Sequence, residues 1–166
     1  MMIMCMNNME IIDLFSIPIL EKTFDFDLAE IQYDCYCKRE IDYGKNVSNV
    51  KGWQSSRFKV NNSPLDYFFD EILVSVKEFA DKISLKSNLT MDSAWINING
   101  PGAYNQVHDH PSCILSGVFY VKAPEDCGNI EFRHPSLSKM ERDWSHVEEE
   151  NNKYTSHVWR FIPKEN

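Results

Sequence analysis

Residues 95–132 read WININGPGAYNQVHDHPSCILSGVFYVKAPEDCGNIEF, and the period of this stretch decides the fold class. Trp95, Asn97 and Asn99 alternate with Ala94, Ile96 and Ile98, so the two sets lie on opposite faces of an extended strand. Gly100-Pro101-Gly102 turns the chain, residues 103–110 continue extended, and 113–122 (CILSGVFYVK) read as a buried strand. A turn over 123–128 leads into another strand at 129–132. Short strands separated by Gly/Pro turns describe a small β-sandwich or barrel.

Upstream, the period is helical. Ser63 as N-cap and Pro64 at the first helical position predict a helix over 63–83, with Leu65, Phe68, Phe69, Ile72, Leu73, Val76, Phe79 and Ala80 on one face. A stripe of that width has to be covered, so Phe68, Leu73, Val76 and Phe79 are expected against the sheet. Residues 24–38 predict a second helix carrying Leu28, Ile31 and Cys35, and 44–56 read as an ordered loop around Trp53. The apolar run 10–20 suits an edge strand because Pro18 cannot donate to a ladder. The expected class is α+β, mainly β, with an N-terminal helical layer. Residues 1–8 are expected to be a disordered or non-native extension, and 9–166 one domain.

The chain has 166 residues, 43% of them hydrophobic, enough for one sizeable core. Its 25 acidic and 17 basic residues give a net charge of -8, which disfavours nucleic acid as a partner. The N-terminal methionine-rich segment lacks the basic flank of a signal peptide and the length of a membrane span. Five cysteines without C-x-x-C spacing indicate reduced thiols and a cytoplasmic setting; Cys35-x-Cys37 reads as structural.

The densest cluster of ligand-type side chains is Asn105-Gln106-Val107-His108-Asp109-His110-Pro111. On an extended chain His108 and His110 face one side and Asp109 the other. Two imidazoles on one face can hold a metal such as iron or zinc, with a third ligand from elsewhere. Spacing alone leaves surface histidines in a turn as the plainer reading.

The whole stretch resembles a family of 2-oxoglutarate- and iron(II)-dependent oxygenases common in marine bacteria and their phages. The shared features are the Trp-x-Asn strand, Asn-x-x-His-x-His-Pro, Leu115-Ser116-Gly117-Val118-x-Tyr120-Val121, Pro124 and Gly128-x-Ile130-x-Phe132. Residues 14–19 and the loop 48–55 resemble the family's opening segments. The resemblance implies a double-stranded β-helix, a cupin-like jelly roll with N-terminal helices packed on one sheet. It implies iron(II) as cofactor, 2-oxoglutarate as cosubstrate, and hydroxylation of a substrate for which a peptidyl side chain is one candidate. His108 matches the first metal ligand, and His110 stands where most relatives carry a carboxylate, with Asp109 as the alternative second ligand. Asn97, Asn105, Ser116 and Tyr120 are candidates to contact the cosubstrate, each with an equally ordinary structural role.

The tail departs from the family. Residues 162–166 resemble the start of the turn before the strands that carry a distal His and an Arg, and neither has a matching position. The expectation is an incomplete domain lacking the last strands, inactive as it stands. Substitutes for the distal ligand are His157, near Arg160 on an alternating stretch, His134 and His146, each read first as a surface or turn histidine. The rival readings are a non-catalytic or degenerate jelly-roll binding module and a histidine-rich, zinc-binding cupin-like domain.

Overall fold

The computed structural model describes residues 10–60, 65–85, 88–136 and 152–165. Helix α1 spans Leu28–Ile41 and α2 spans Asp66–Lys82. The Asp27 carboxylate caps α1, accepting hydrogen bonds from the backbone N–H of Ala29 at 3.0 Å and Glu30 at 3.3 Å. Ser63 and Pro64, the expected start of the second helix, lie outside the described residues.

The strands are short and pair antiparallel in four ladders among the described residues. β1 (Asn49–Val50) pairs with β6 (Tyr104–Asn105), β2 (Trp53–Gln54) with β5 (Asn97–Ile98), and β3 (Phe58–Lys59) with β4 (Ser93–Ala94). Taken together these ladders form one irregular ribbon, with 49–59 running back along 93–105. The connecting segments 51–52 and 99–103 differ in length, so the register slips between pairs and the ladder breaks. Ser55 bridges one break: its N–H donates to the Ile96 carbonyl, and its hydroxyl accepts from the Ile96 N–H, both at 2.9 Å. The remaining pair, β7 (Ile130–Arg133) and β8 (Val158–Phe161), carries Glu131 opposite Arg160, which meet at 2.6 Å. Both partners are exposed, and an ion pair of that kind contributes little to stability.

The core lies where the helices meet this ribbon. Ile31 of α1, Val60, Leu65, and Phe68 and Phe69 of α2 are buried, with Phe58, Ala94, Phe119 and Val121 packed against them. The Phe68 ring meets Phe26, Phe69 and Phe119 at centroid distances of 5.1, 5.0 and 4.7 Å, all edge-on. Phe119 thereby ties the segment downstream of the histidine pair to α2. Cys35 packs beside this core, and burial, with Asp34 adding to it, pushes its thiol up to about 11. That suits an inert structural thiol.

Four expectations are corrected. Residues 10–20 form no strand: no described segment takes their backbone hydrogen bonds, and Phe15 sits at φ 60° with 96% of its surface exposed. Residues 113–122 are also not a buried strand, with Ile114 64% and Val118 59% exposed. An apolar run becomes a strand only beside a neighbour, and β7 is paired with β8 instead. The stretch 44–56 is only partly loop, since it contains β1 and β2. On α2 the buried centre is Phe68 and Phe69, while Leu73, Val76 and Phe79 are half-buried. Among the described residues no helix is long and apolar enough to cross a membrane.

Candidate functional site

The ribbon delivers the histidines to a defined place. The Gln106 N–H donates to the Ser48 carbonyl at 2.7 Å, extending the β1–β6 ladder by one step. The Asn105 amide donates to the Ser48 hydroxyl and accepts from the Asn99 amide, both at 3.1 Å. Residues 105 and 106 are thus pinned from two sides, and His108 follows immediately.

His108 Nδ1 lies 2.7 Å from the Gln106 carbonyl oxygen. A carbonyl can only accept, so this contact requires the proton on Nδ1, and in the neutral ring the lone pair is then on Nε2. Metal-binding histidines commonly use that arrangement, the second ring nitrogen being held by a carbonyl. The His110 ring sits edge-on to His108 with centroids 4.9 Å apart and an interplanar angle of 89°. It also leans on Trp95 at 5.4 Å, and the Arg57 guanidinium lies 5.3 Å from the same indole. Burial holds the His110 imidazole below its ordinary 6.5, with His108 and Arg57 pushing the same way and Asp109 opposing them. A neutral imidazole is the form that ligates.

Residues 93–165 match the family described as "Putative 2OG-Fe(II) oxygenase". The match covers a little under half of the chain and contains both histidines. No curated protein and no solved structure matches. An oxygenase of this kind implies iron(II) and 2-oxoglutarate, so the donor set can be tested against iron. Two imidazoles with ring centroids 4.9 Å apart suit two positions of such a site. Among the described residues no group of three or more His, Cys, Asp or Glu side chains gathers to complete it.

The other candidates are placed as follows. Asp109 is exposed, and Asn97 lies opposite Gln54 on the β2–β5 ladder. Ser116 is exposed on the unpaired segment, and Tyr120 is half-buried, with burial raising its hydroxyl pKa and Cys127 adding to the rise. His157 stands at the edge of β8, where its carbonyl accepts from the His134 N–H at 2.8 Å; its Nε2 is buried without a hydrogen-bond partner among the described residues. The His134 Nδ1 accepts from the Ser136 N–H at 3.1 Å. Arg160 is engaged by Glu131. His146 lies outside the described residues.

Sequence reasoning did not single out Arg57, Ser48 or Trp95 as parts of this site. Trp95 did share its predicted strand face with Asn97 and Asn99, which pointed towards the histidines. Arg57 carried no local signal, because its effect on His110 comes through the folded ribbon.

Proposed function

We propose that this chain is the iron-binding part of a 2-oxoglutarate- and iron(II)-dependent oxygenase with a double-stranded β-helix architecture, acting as a hydroxylase. The observation that carries the reading is the adjacent pair His108 and His110, with ring centroids 4.9 Å apart, inside the segment that matches the oxygenase family. His108 would bind through Nε2, its ring held by the Gln106 carbonyl, and His110 would bind as a neutral imidazole against Trp95. When bound, iron(II) with 2-oxoglutarate and dioxygen supplies the oxidation, one oxygen atom entering the substrate and the other the succinate left by decarboxylation.

The chain's own residues do the positioning. Asn105 and Asn99 fix the strand end from which the histidines project, and the Gln106 carbonyl sets the tautomer of His108. Tyr120, held protonated by burial, is proposed as a donor to a cosubstrate carboxylate, with Ser116, Asn97 and Asn105 as the remaining polar contacts. A peptidyl side chain is one candidate substrate in this reading.

The test is anaerobic titration of the protein with iron(II) and 2-oxoglutarate, following the charge-transfer absorption of the chelate. The band should form with the wild-type chain and be lost in His108→Ala. A band of equal strength in both proteins would contradict the assignment.

A further inference from the structure

The break in the ribbon brings a cation to the histidine pair. Phe58 pairs with Ala94, and the Ser55 N–H donates to the Ile96 carbonyl at 2.9 Å, so Ser56 and Arg57 together stand opposite the single residue Trp95. Two residues against one make a bulge, and a bulge re-aims the side chains it carries. The Arg57 guanidinium carbon lies over the Trp95 ring, 5.3 Å from its centre, and His110 leans on the same indole at 5.4 Å. The charge of Arg57 also reaches the His110 ring.

This cation is unpaired. Among the described residues Arg57 has no ion-pair partner. Asp42 accepts from the N–H of the adjacent Ser56 at 2.9 Å, yet the cation that acts on Asp42 is Lys38. Arg160, by contrast, is held by Glu131 at 2.6 Å on the β7–β8 ladder. A guanidinium that rests on an aromatic ring keeps its in-plane N–H groups free for a planar acceptor.

The cosubstrate supplies such an acceptor. A 2-oxo diacid that chelates iron through its 2-oxo group and the adjoining carboxylate still carries a second carboxylate at its far end, and in a chain of net charge -8 that group needs a cation. We infer that Arg57 receives the far carboxylate of 2-oxoglutarate, with Trp95 holding the guanidinium beside the histidine pair, and thereby selects a 2-oxo diacid over a 2-oxo monoacid. The fork of a guanidinium matches a carboxylate with two parallel hydrogen bonds, whereas a monoacid such as pyruvate offers it nothing once chelated. The inference rests on the oxygenase reading and assigns the role to the strand that runs opposite the histidine segment.

The experiment is anaerobic titration of the iron(II)-loaded full chain with 2-oxoglutarate and, separately, with pyruvate, following the charge-transfer absorption of each chelate. Arg57 is exposed, so Arg57→Gln should keep the wild-type circular dichroism spectrum. That variant should bind 2-oxoglutarate at least ~10-fold more weakly and pyruvate as the wild type does, and its cobalt(II) affinity should be unchanged. Arg57→Lys, which keeps the charge without the fork, should fall between the two. A merely structural role for Arg57 moves both 2-oxo acids together, so an equal loss for the two ligands would overturn the inference. So would the same preference for 2-oxoglutarate over pyruvate in the wild type and in Arg57→Gln. In either case a band that is still lost in His108→Ala leaves the oxygenase reading intact, whereas a wild-type chain that forms no band with either acid overturns both.

Discussion

Phe68 is where the account of the fold is most exposed to test. Its ring is 5% exposed and touches three other aromatic rings within about 5 Å, joining α1's entry, α2 and the segment that follows the histidines. Phe68→Ala removes those contacts and leaves a cavity that the flanking helix and ribbon cannot close without moving. Buried Phe→Ala changes cost about 3–5 kcal/mol, a large share of the ~5–15 kcal/mol that holds a domain together. With a urea slope of roughly 1–3 kcal/mol per molar, the midpoint should fall by 1 M or more. Urea unfolding followed by tryptophan emission and circular dichroism measures this, with Phe15→Ala as control. Phe15 is 96% exposed, and its removal should change stability by less than about 0.5 kcal/mol. Equal costs for the two variants would refute the packing described here.

Gly44→Ala should destabilise the chain by about 1–2 kcal/mol or more in the same assay, since φ 78° is left-handed and the new methyl meets the Trp53 ring. The Asp42 carboxyl is held below its ordinary 3.8 by hydrogen bonds from Gly44 and Ser56. Its contribution to stability is therefore present above that value and lost as pH falls through the lower folded value, and Asp42→Asn should flatten this acid limb in urea midpoints measured against pH. In an NMR titration of the metal-free chain, the His110 ring should take up its proton below 6.5, and Trp95→Ala, which removes part of its burial, should move that value upward.

Elements with a strong local period were legible before the fold was known. The 3.6-residue stripe of α2 and the spacing of Leu28, Ile31 and Cys35 marked the two helices, and Gly128 followed by alternating residues marked β7. Pairing was not legible. Residues 44–56 look like loop because Gly, Asn and Ser dominate them, yet they contain β1 and β2, part of one side of the ribbon that carries the site. Residues 113–122 failed in the opposite way: their composition suits a buried strand, but a strand also requires a neighbour with open hydrogen bonds. At the candidate site, the two-residue spacing put His108 and His110 on one side of an extended chain, and their rings stand edge-on with centroids 4.9 Å apart. The Gln106 carbonyl that sets a tautomer was equally local, but its effect depends on the turn the chain takes after β6. The closeness of Trp95, Arg57 and Ser48 arises only from folding.

The most direct measurement is cobalt(II) binding, read by its visible ligand-field absorption and by calorimetry, for the wild-type chain beside His108→Ala, His110→Ala and His134→Ala. The account predicts one ion per chain for the wild type and His134→Ala. It also predicts a loss of at least about tenfold in affinity for each of the other two variants, since each removes a ligand outright. Equal affinity across all four proteins would contradict it, as would loss confined to His134→Ala.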